Sequence, residues 1–157
     1  MTRDDFEDDE RRRNLHNTFM KLFEYGAIPV VNENDSVAVE EIVFGDNDSL
    51  SAHVAKLVEA DALVILTDID GLFSANPRED ESARLISSVD RITDEILALA
   101  GGSGTSRGTG GMVTKLHAGE IATSAGIDTV VMNGSDPEDI YKLLDGRQIG
   151  THFKAQR

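Results

Sequence analysis

The sequence predicts an α/β fold, in which a mainly parallel sheet is flanked by helices in a single domain over residues 1–157. Short β-branched runs alternate with longer segments of helical periodicity, the order typical of parallel sheets covered by helices. The run Ala62–Thr67 is hydrophobic at nearly every position, as expected of a strand buried on both faces. Polar motifs follow predicted strands or precede predicted helices, which is where open α/β sheets place their ligands.

The first half of the chain opens with a helix and a short strand. Apolar residues recur at helical spacing from Glu7 to Tyr25, and Gly26 stands where a helix would end. The β-branched run Ala27–Val31 predicts a buried strand, although Pro29 would remove one hydrogen bond from it. The next predicted elements are a hairpin, a helix and a strand, over residues 36–44, 49–59 and 62–67.

The second half alternates in the same way. Leu85 and Ile86 predict a short strand, and residues 101–111 contain six glycines, which excludes regular structure there. The remaining predicted helices cover residues 93–100, 112–124 and 137–144, and the remaining strands cover residues 129–132 and 151–153.

Composition limits the class of protein. The chain of 157 residues is 39% hydrophobic and 28% charged, which is enough for one domain with a buried core. Its net charge of −14 argues against nucleic acid, because a protein that binds phosphate backbones needs a basic face. No apolar run approaches the roughly 20 residues that cross a bilayer. The charged N-terminal segment has no signal-peptide pattern, so we expect a cytoplasmic protein.

Two polar motifs precede the predicted helix at residues 49–59. The motif NEND, at Asn32–Asp35, would form either a polar pocket or an Asx turn that leads into the hairpin. The motif GDND, at Gly45–Asp48, ends where the helix begins. Asp48 would there either cap the helix or orient a cation beside an anion bound at the free N–H groups. Residue chemistry alone leaves both alternatives open for each motif.

Two further motifs lie later in the chain. TDIDG, at Thr67–Gly71, ends the clearest strand and could hold a nucleotide base or ribose. A calcium loop is a rival interpretation, but the glutamate that closes such a loop is absent at the required spacing. GTGGMVTK, at Gly108–Lys115, brings glycine amides and a lysine to a helix start, as phosphate sites do. It lacks the Walker A pattern, and a flexible linker would have a similar composition.

In this order, four segments resemble the amino-acid kinase family, and within it the branch that phosphorylates glutamate. They are NEND, FGDNDSLSA, LTDIDGLFSANP and GTGGMVTKLHAGEIATSAGIDTVV. The resemblance runs from about Asn14 to Phe153, which is nearly the whole chain. It implies a partial amino-acid kinase fold. It also implies ATP-dependent phosphorylation of the L-glutamate side-chain carboxylate to glutamyl 5-phosphate, the first step of proline biosynthesis.

The resemblance implies roles for individual residues. Asp48 would orient the active-site lysines, and Lys115 would stabilise charge on the transferring phosphoryl group. Asp35 and Asn47 match residues that hold the substrate glutamate, and Asn32 of the same motif is assigned with them. The implied nucleotide contacts are Thr67, Asp68, Thr109, Gly110, Gly111, Met112, Val113, Thr114 and Lys115. Mg²⁺ would be held chiefly by the ATP phosphates, so no dedicated protein metal site is expected.

The family fold begins with a strand that ends in a lysine-glycine segment, and this sequence has no counterpart of it. We therefore expect residues 1–157 to be the C-terminal, nucleotide-binding portion of an amino-acid kinase domain, inactive by itself. The resemblance also implies a homo-oligomer, and it leaves feedback inhibition by proline open. The alternatives are a non-catalytic nucleotide- or amino-acid-binding fragment, and a related kinase that acts on acetylglutamate or aspartate.

Overall fold

A computed structural model describes residues 1–34, 46–101 and 111–156 of the chain. Its elements, in chain order, are α1 Asp4–Glu7, α2 Asp9–Glu24, α3 Asn47–Leu57, β1 Ala62–Thr67, β2 Ser88–Val89, α4 Asp94–Ala100, α5 Met112–Ser124, β3 Asp128–Asn133, α6 Asp139–Leu144 and β4 Thr151–Phe153. The predicted hairpin at residues 36–44 and most of the glycine-rich stretch lie outside the described residues.

The four strands form one sheet in the order β1-β3-β4-β2. Strand β1 runs parallel to β3 and β2 runs parallel to β4, whereas β3 and β4 are antiparallel. The prediction of a mainly parallel α/β sheet flanked by helices is therefore confirmed. The register pairs Ala62 with Asp128 and Thr67 with Asn133, so β1 and β3 end side by side.

Helices α3 and α5 pack against each other and against the sheet. The main hydrophobic core comprises buried residues of these helices and of the strands, among them Ala52, Ala55, Leu63, Ile65, Leu116, Ala118, Ala122, Val131 and Phe153. A second cluster centred on Phe6 and Leu50 joins the N-terminal helices to α3. No helix in the described ranges is both long and apolar enough to span a bilayer.

The predicted N-terminal helix is interrupted at Asp8, which adopts an extended conformation between α1 and α2. Its carboxylate accepts a hydrogen bond from the Arg11 N–H at 2.8 Å and so caps the start of α2. Helix α2 ends at Glu24, and Gly26 follows with a φ of +68°. Because L-residues with side chains avoid that region, Gly26 suits the chain reversal that ends the helix.

The predicted strand at Ala27–Val31 is wrong for the described structure, which forms no strand there. Ile28 and Val30 are 90% and 97% exposed, so no strand or helix in the described ranges covers them. Pro29 lacks a backbone donor, which further weakens pairing. The short strand predicted at Leu85-Ile86 lies three residues later, at Ser88–Val89, while Leu85 forms an isolated bridge to Phe73.

Candidate active site

Asp46, not Asp48, caps helix α3. Asp46 has an extended backbone, and its carboxylate accepts hydrogen bonds from the Ser49 N–H at 2.6 Å and the Ser49 hydroxyl at 2.9 Å. The capping role that the GDND motif allowed for Asp48 therefore belongs to the aspartate two residues earlier. Asp48 lies in the first turn, and its side chain is available for contacts with other elements.

Asp48 contacts two consecutive residues of helix α5. The Lys115 Nζ atom lies 3.0 Å from Asp48 Oδ2, and the Thr114 hydroxyl lies 2.7 Å from the same oxygen. The side chains of Lys115 and Asp48 are only 9% and 17% exposed. A lysine ammonium at this depth requires a paired, hydrogen-bonded partner, because an isolated buried charge is costly. The two residues assigned to catalysis are thus brought together across 67 positions of sequence.

The start of helix α5 has no side-chain cap. Its N-cap is Gly111, which has no side chain to accept the first N–H groups of the helix. The first amides of a helix have no intrahelical partner and carry a partial positive charge. Beside Lys115, they form a region that attracts anions such as phosphate oxygens. The described part of the predicted nucleotide loop, Gly111–Lys115, therefore has the polarity that its assignment requires.

A cleft of about 480 Å³ lies between the segment that precedes NEND and helix α3. Its lining residues are Pro29, Val31, Asn47, Leu50, Ser51, Val54, Ala55 and Leu63. Asn47 is thus at a concave surface, and Asn32 directly follows one of the lining residues. The backbone of Asn32 is held by the Met1 nitrogen, which donates to its carbonyl at 2.8 Å. Asp35 lies outside the described residues.

Thr67 and Asp68 lie at the carboxyl end of β1. The Thr67 hydroxyl donates to the Asp68 carboxylate at 3.2 Å, and the Thr67 carbonyl accepts the Gly134 N–H at 2.8 Å. This edge of the sheet is the position at which open α/β folds bind ligands. Of the other predicted nucleotide contacts, Thr109 and Gly110 lie outside the described residues.

A polar cluster at the same edge was not predicted from the sequence. The Asn133 side-chain amide donates to Asp70 at 2.9 Å, and its carbonyl accepts from the Ser135 N–H at 2.9 Å and the Ser135 hydroxyl at 2.7 Å. The cluster ties the loop after β1 to the loop after β3. The sequence feature that could have identified it is Asn-Gly-Ser, which directly follows the predicted strand at residues 129–132. The other motifs were recognised in the same way, as polar residues beside the ends of predicted elements.

In the described ranges, no group of three or more His, Asp or Glu side chains is placed to hold a metal ion. The arrangement instead consists of one buried ion pair, two helix starts and a polar strand edge. These features suit the binding and stabilisation of an anionic ligand.

Solved structures with the same fold include a UMP kinase from Bacillus anthracis and an isopentenyl phosphate kinase in a substrate complex. The first has a TM-score of 0.64 at 15% identity, and covers 90% of this chain and 52% of its own. The second has a TM-score of 0.64 at 22% identity, and covers 88% of this chain and 53% of its own. At these identities the likeness extends to the fold alone, and it confirms the predicted partial amino-acid kinase fold.

Sequence relatives are much closer. Proteins named glutamate 5-kinase from Clostridium perfringens and Pasteurella multocida are 50% and 53% identical over 161 and 156 aligned residues. These alignments cover 100% and 99% of this chain but 60% and 42% of the relatives, so the chain spans about half the length of the curated relatives it matches. They confirm the resemblance found from the four motifs. The profile of the amino acid kinase family matches residues 1–133, and the chain belongs to that family.

Proposed function

We propose that this chain forms the nucleotide-binding and phosphoryl-transfer part of a glutamate 5-kinase. The complete protein would transfer the γ-phosphoryl group of ATP to the side-chain carboxylate of L-glutamate and produce glutamyl 5-phosphate, in proline biosynthesis. The observation that carries this proposal is the 3.0 Å contact of Lys115 with Asp48 at the starts of two packed helices. The identity of about half of all residues to proteins named glutamate 5-kinase supports the choice of substrate.

Phosphoryl transfer to glutamate requires positive electrostatic potential around the reacting phosphoryl group more than it requires a general base. A glutamate carboxylate oxygen attacks the γ-phosphorus, the bond to the β,γ-bridging oxygen breaks, and ADP leaves with that electron pair. No proton has to be removed from the nucleophile, because a carboxylate is already ionised at neutral pH. Two anions must nevertheless approach each other, and preorganised cations and amide dipoles offset that repulsion.

Lys115 and the first turn of α5 can supply this potential. We assign the ammonium to the oxygens of the transferring phosphoryl group, and the uncapped amides of Met112 and Val113 to the phosphate chain. Asp48 accepts from Lys115 and Thr114 through Oδ2 and so orients the ammonium. It is not needed as a base, because the glutamate carboxylate is already ionised. Mg²⁺ enters with ATP as part of the MgATP substrate.

The two substrates would reach the site from different sides. We assign glutamate to the cleft beside α3, with Asn47, Asn32 and Asp35 as its contacts. The side-chain amides of the two asparagines can bind both the ammonium and the carboxylate of glutamate. Thr67 and Asp68 at the end of β1 are assigned to the nucleotide, together with Gly111, Met112 and Val113. Thr109 and Gly110 complete that assignment.

The test is the replacement of Lys115 by alanine in the complete protein that carries this sequence. We expect kcat for glutamate phosphorylation to fall by about 10²–10³, by analogy with removal of one preorganised electrostatic group. The matched control is Lys142→Ala, because Lys142 is an exposed lysine that pairs within its own helix. A Lys115→Ala enzyme with near-normal kcat would refute the role, and loss of activity in the control would show an unspecific effect.

A second experiment addresses the alternative of a non-catalytic binding fragment. Titration calorimetry of residues 1–157 with a non-hydrolysable MgATP analogue and with glutamate should give nucleotide binding, weak or absent glutamate binding, and no turnover with ATP. Turnover comparable to that of the complete protein would contradict the expected inactivity. If the complete protein also bound both ligands without turnover, the binding-fragment interpretation would replace the kinase.

Specificity, regulation and assembly need separate measurements on the complete protein. Substrate competition assays with glutamate, acetylglutamate and aspartate distinguish the proposed activity from the activities of the related kinases. Inhibition assays with proline test feedback control. Analytical ultracentrifugation tests the expected homo-oligomer, which a monomer at all accessible concentrations would exclude.

A further inference from the structure

Thr114 has both of its hydrogen-bond donors occupied by protein atoms. Its backbone N–H donates to the Gly111 carbonyl at 3.2 Å. Its hydroxyl lies 2.7 Å from Asp48 Oδ2 and 2.8 Å from the Gly111 carbonyl oxygen. A hydroxyl has one proton, and the ionised carboxylate is the stronger acceptor of the two. The hydroxyl proton is therefore directed to Asp48.

Two neighbouring residues of α5 thus donate to a single oxygen. Thr114 and Lys115 differ by about 100° around the helix, so they approach Asp48 Oδ2 from different directions. Two bonds of different direction fix the position of the carboxylate, whereas the lysine alone would leave it free to swing with the long, flexible lysine side chain. The hydroxyl is attached through one rotatable side-chain bond, so it is the more rigid of the two donors.

We propose that Thr114 is a positioning residue: its hydroxyl fixes the Asp48 carboxylate and, through it, the Lys115 ammonium. This inference rests on the proposed function. It assigns Thr114 a role different from the nucleotide contact that the resemblance implies, because a bond to phosphate would require one of its two donors to leave its present acceptor. A small displacement of the ammonium should affect the transition state more than nucleotide binding.

The test compares Thr114→Val, which keeps the shape but removes the hydroxyl, with Thr114→Ser, which keeps the hydroxyl. In the complete enzyme, Thr114→Val should lower kcat by about 10- to 100-fold, while the KM for ATP changes by less than about 3-fold. Thr114→Ser should retain kcat within about 3-fold. The control is Thr123→Val, which removes a buried hydroxyl from the same helix and should behave as wild type. The only described hydrogen bond of that hydroxyl is a 3.5 Å approach to the Glu120 carbonyl.

A raised KM for ATP with normal kcat in Thr114→Val would identify a nucleotide contact and overturn the proposal. Unchanged kinetics, or equal losses in Thr114→Val and Thr123→Val, would also overturn it. If the wild-type complete protein does not phosphorylate glutamate, the proposed function fails, and the positioning contact is judged by folding alone.

That folding test uses the 157-residue chain and a double-mutant cycle with Asp48→Ala. With Asp48 present, Thr114→Val should lower the equilibrium constant for folding by about 10-fold. In the Asp48→Ala background the same substitution should change it by less than about 3-fold, because only the weaker, neutral acceptor at the Gly111 carbonyl remains. Equal effects in both backgrounds would show that the hydroxyl does not act through Asp48.

Discussion

Gly150 occupies a turn in which a side chain would collide with the central strand. Its φ is +69°, and an ideal Cβ built there would lie 2.2 Å from the Val131 carbonyl oxygen and 2.8 Å from the Met132 Cβ atom. Both neighbours belong to β3, whose backbone pairs with strands on either side. Gly150→Ala therefore cannot be accommodated by a side-chain rotation and must shift the start of β4 away from β3.

The cost of Gly150→Ala has two parts. Placing a non-glycine residue in the left-handed region costs about 1–2 kcal/mol. Forcing extra volume into a packed site typically costs a further 1–3 kcal/mol or so. We therefore expect the free energy of unfolding to fall by about 2–5 kcal/mol, a large fraction of the stability of an ordinary domain.

Gly146→Ala provides the control, because Gly146 has a φ of +82° but nothing within 4 Å of its ideal Cβ. That variant carries the backbone cost alone, about 1–2 kcal/mol. Urea denaturation followed by circular dichroism measures both losses on the same chain. If the two variants lose equal stability, the collision with β3 contributes nothing and the reasoning is wrong.

Two further predictions concern a buried hydroxyl and a half-buried histidine. Thr129→Val should raise the free energy of unfolding by about 1 kcal/mol, because the fully buried Thr129 hydroxyl has no hydrogen-bond partner among the described residues; unchanged or lower stability in urea would contradict this. Burial, followed by the charge of Lys56, lowers the pKa of His53 below its ordinary value of 6.5. As pH falls below 6.5, the unfolded chain therefore binds a proton that the folded chain resists, and stability decreases. His53→Gln should flatten this acid slope in urea titrations, whereas an identical slope would reject the assignment.

Elements with clear local signals could be predicted from the sequence. Strand Ala62–Thr67 and helix Met112–Ser124 have the predicted bounds, because a continuous apolar run marks the first and a glycine-rich stretch precedes the second. The segment Ala27–Val31 has an equally strong β-branched composition but forms no strand. Strand formation depends on a neighbour that supplies hydrogen-bond partners, and composition does not report whether one is present.

In the candidate site too, local motifs could be predicted from the sequence, whereas contacts between distant residues could not. The motifs identified Asp48 and Lys115 separately, and the family resemblance suggested their roles. The sequence allowed Asp48 as the helix cap, but the helix begins two residues earlier than predicted, so its cap is Asp46. The contact of Thr114 with Asp48 spans 66 positions, so no local pattern could reveal it.

Small side chains without reactive groups help to bring these distant residues together. Ala52 and Ala55 of α3 and Ala118 and Ala122 of α5 are buried in one hydrophobic cluster. Helix axes approach to about 8 Å only where the side chains between them are small. Larger residues in this cluster would force α3 and α5 apart and lengthen the contact between Lys115 and Asp48, although every site residue would be intact. The ion pair between Lys115 and Asp48 therefore depends on helix packing as much as on its own two residues, which explains why motifs could name them but not show their contact.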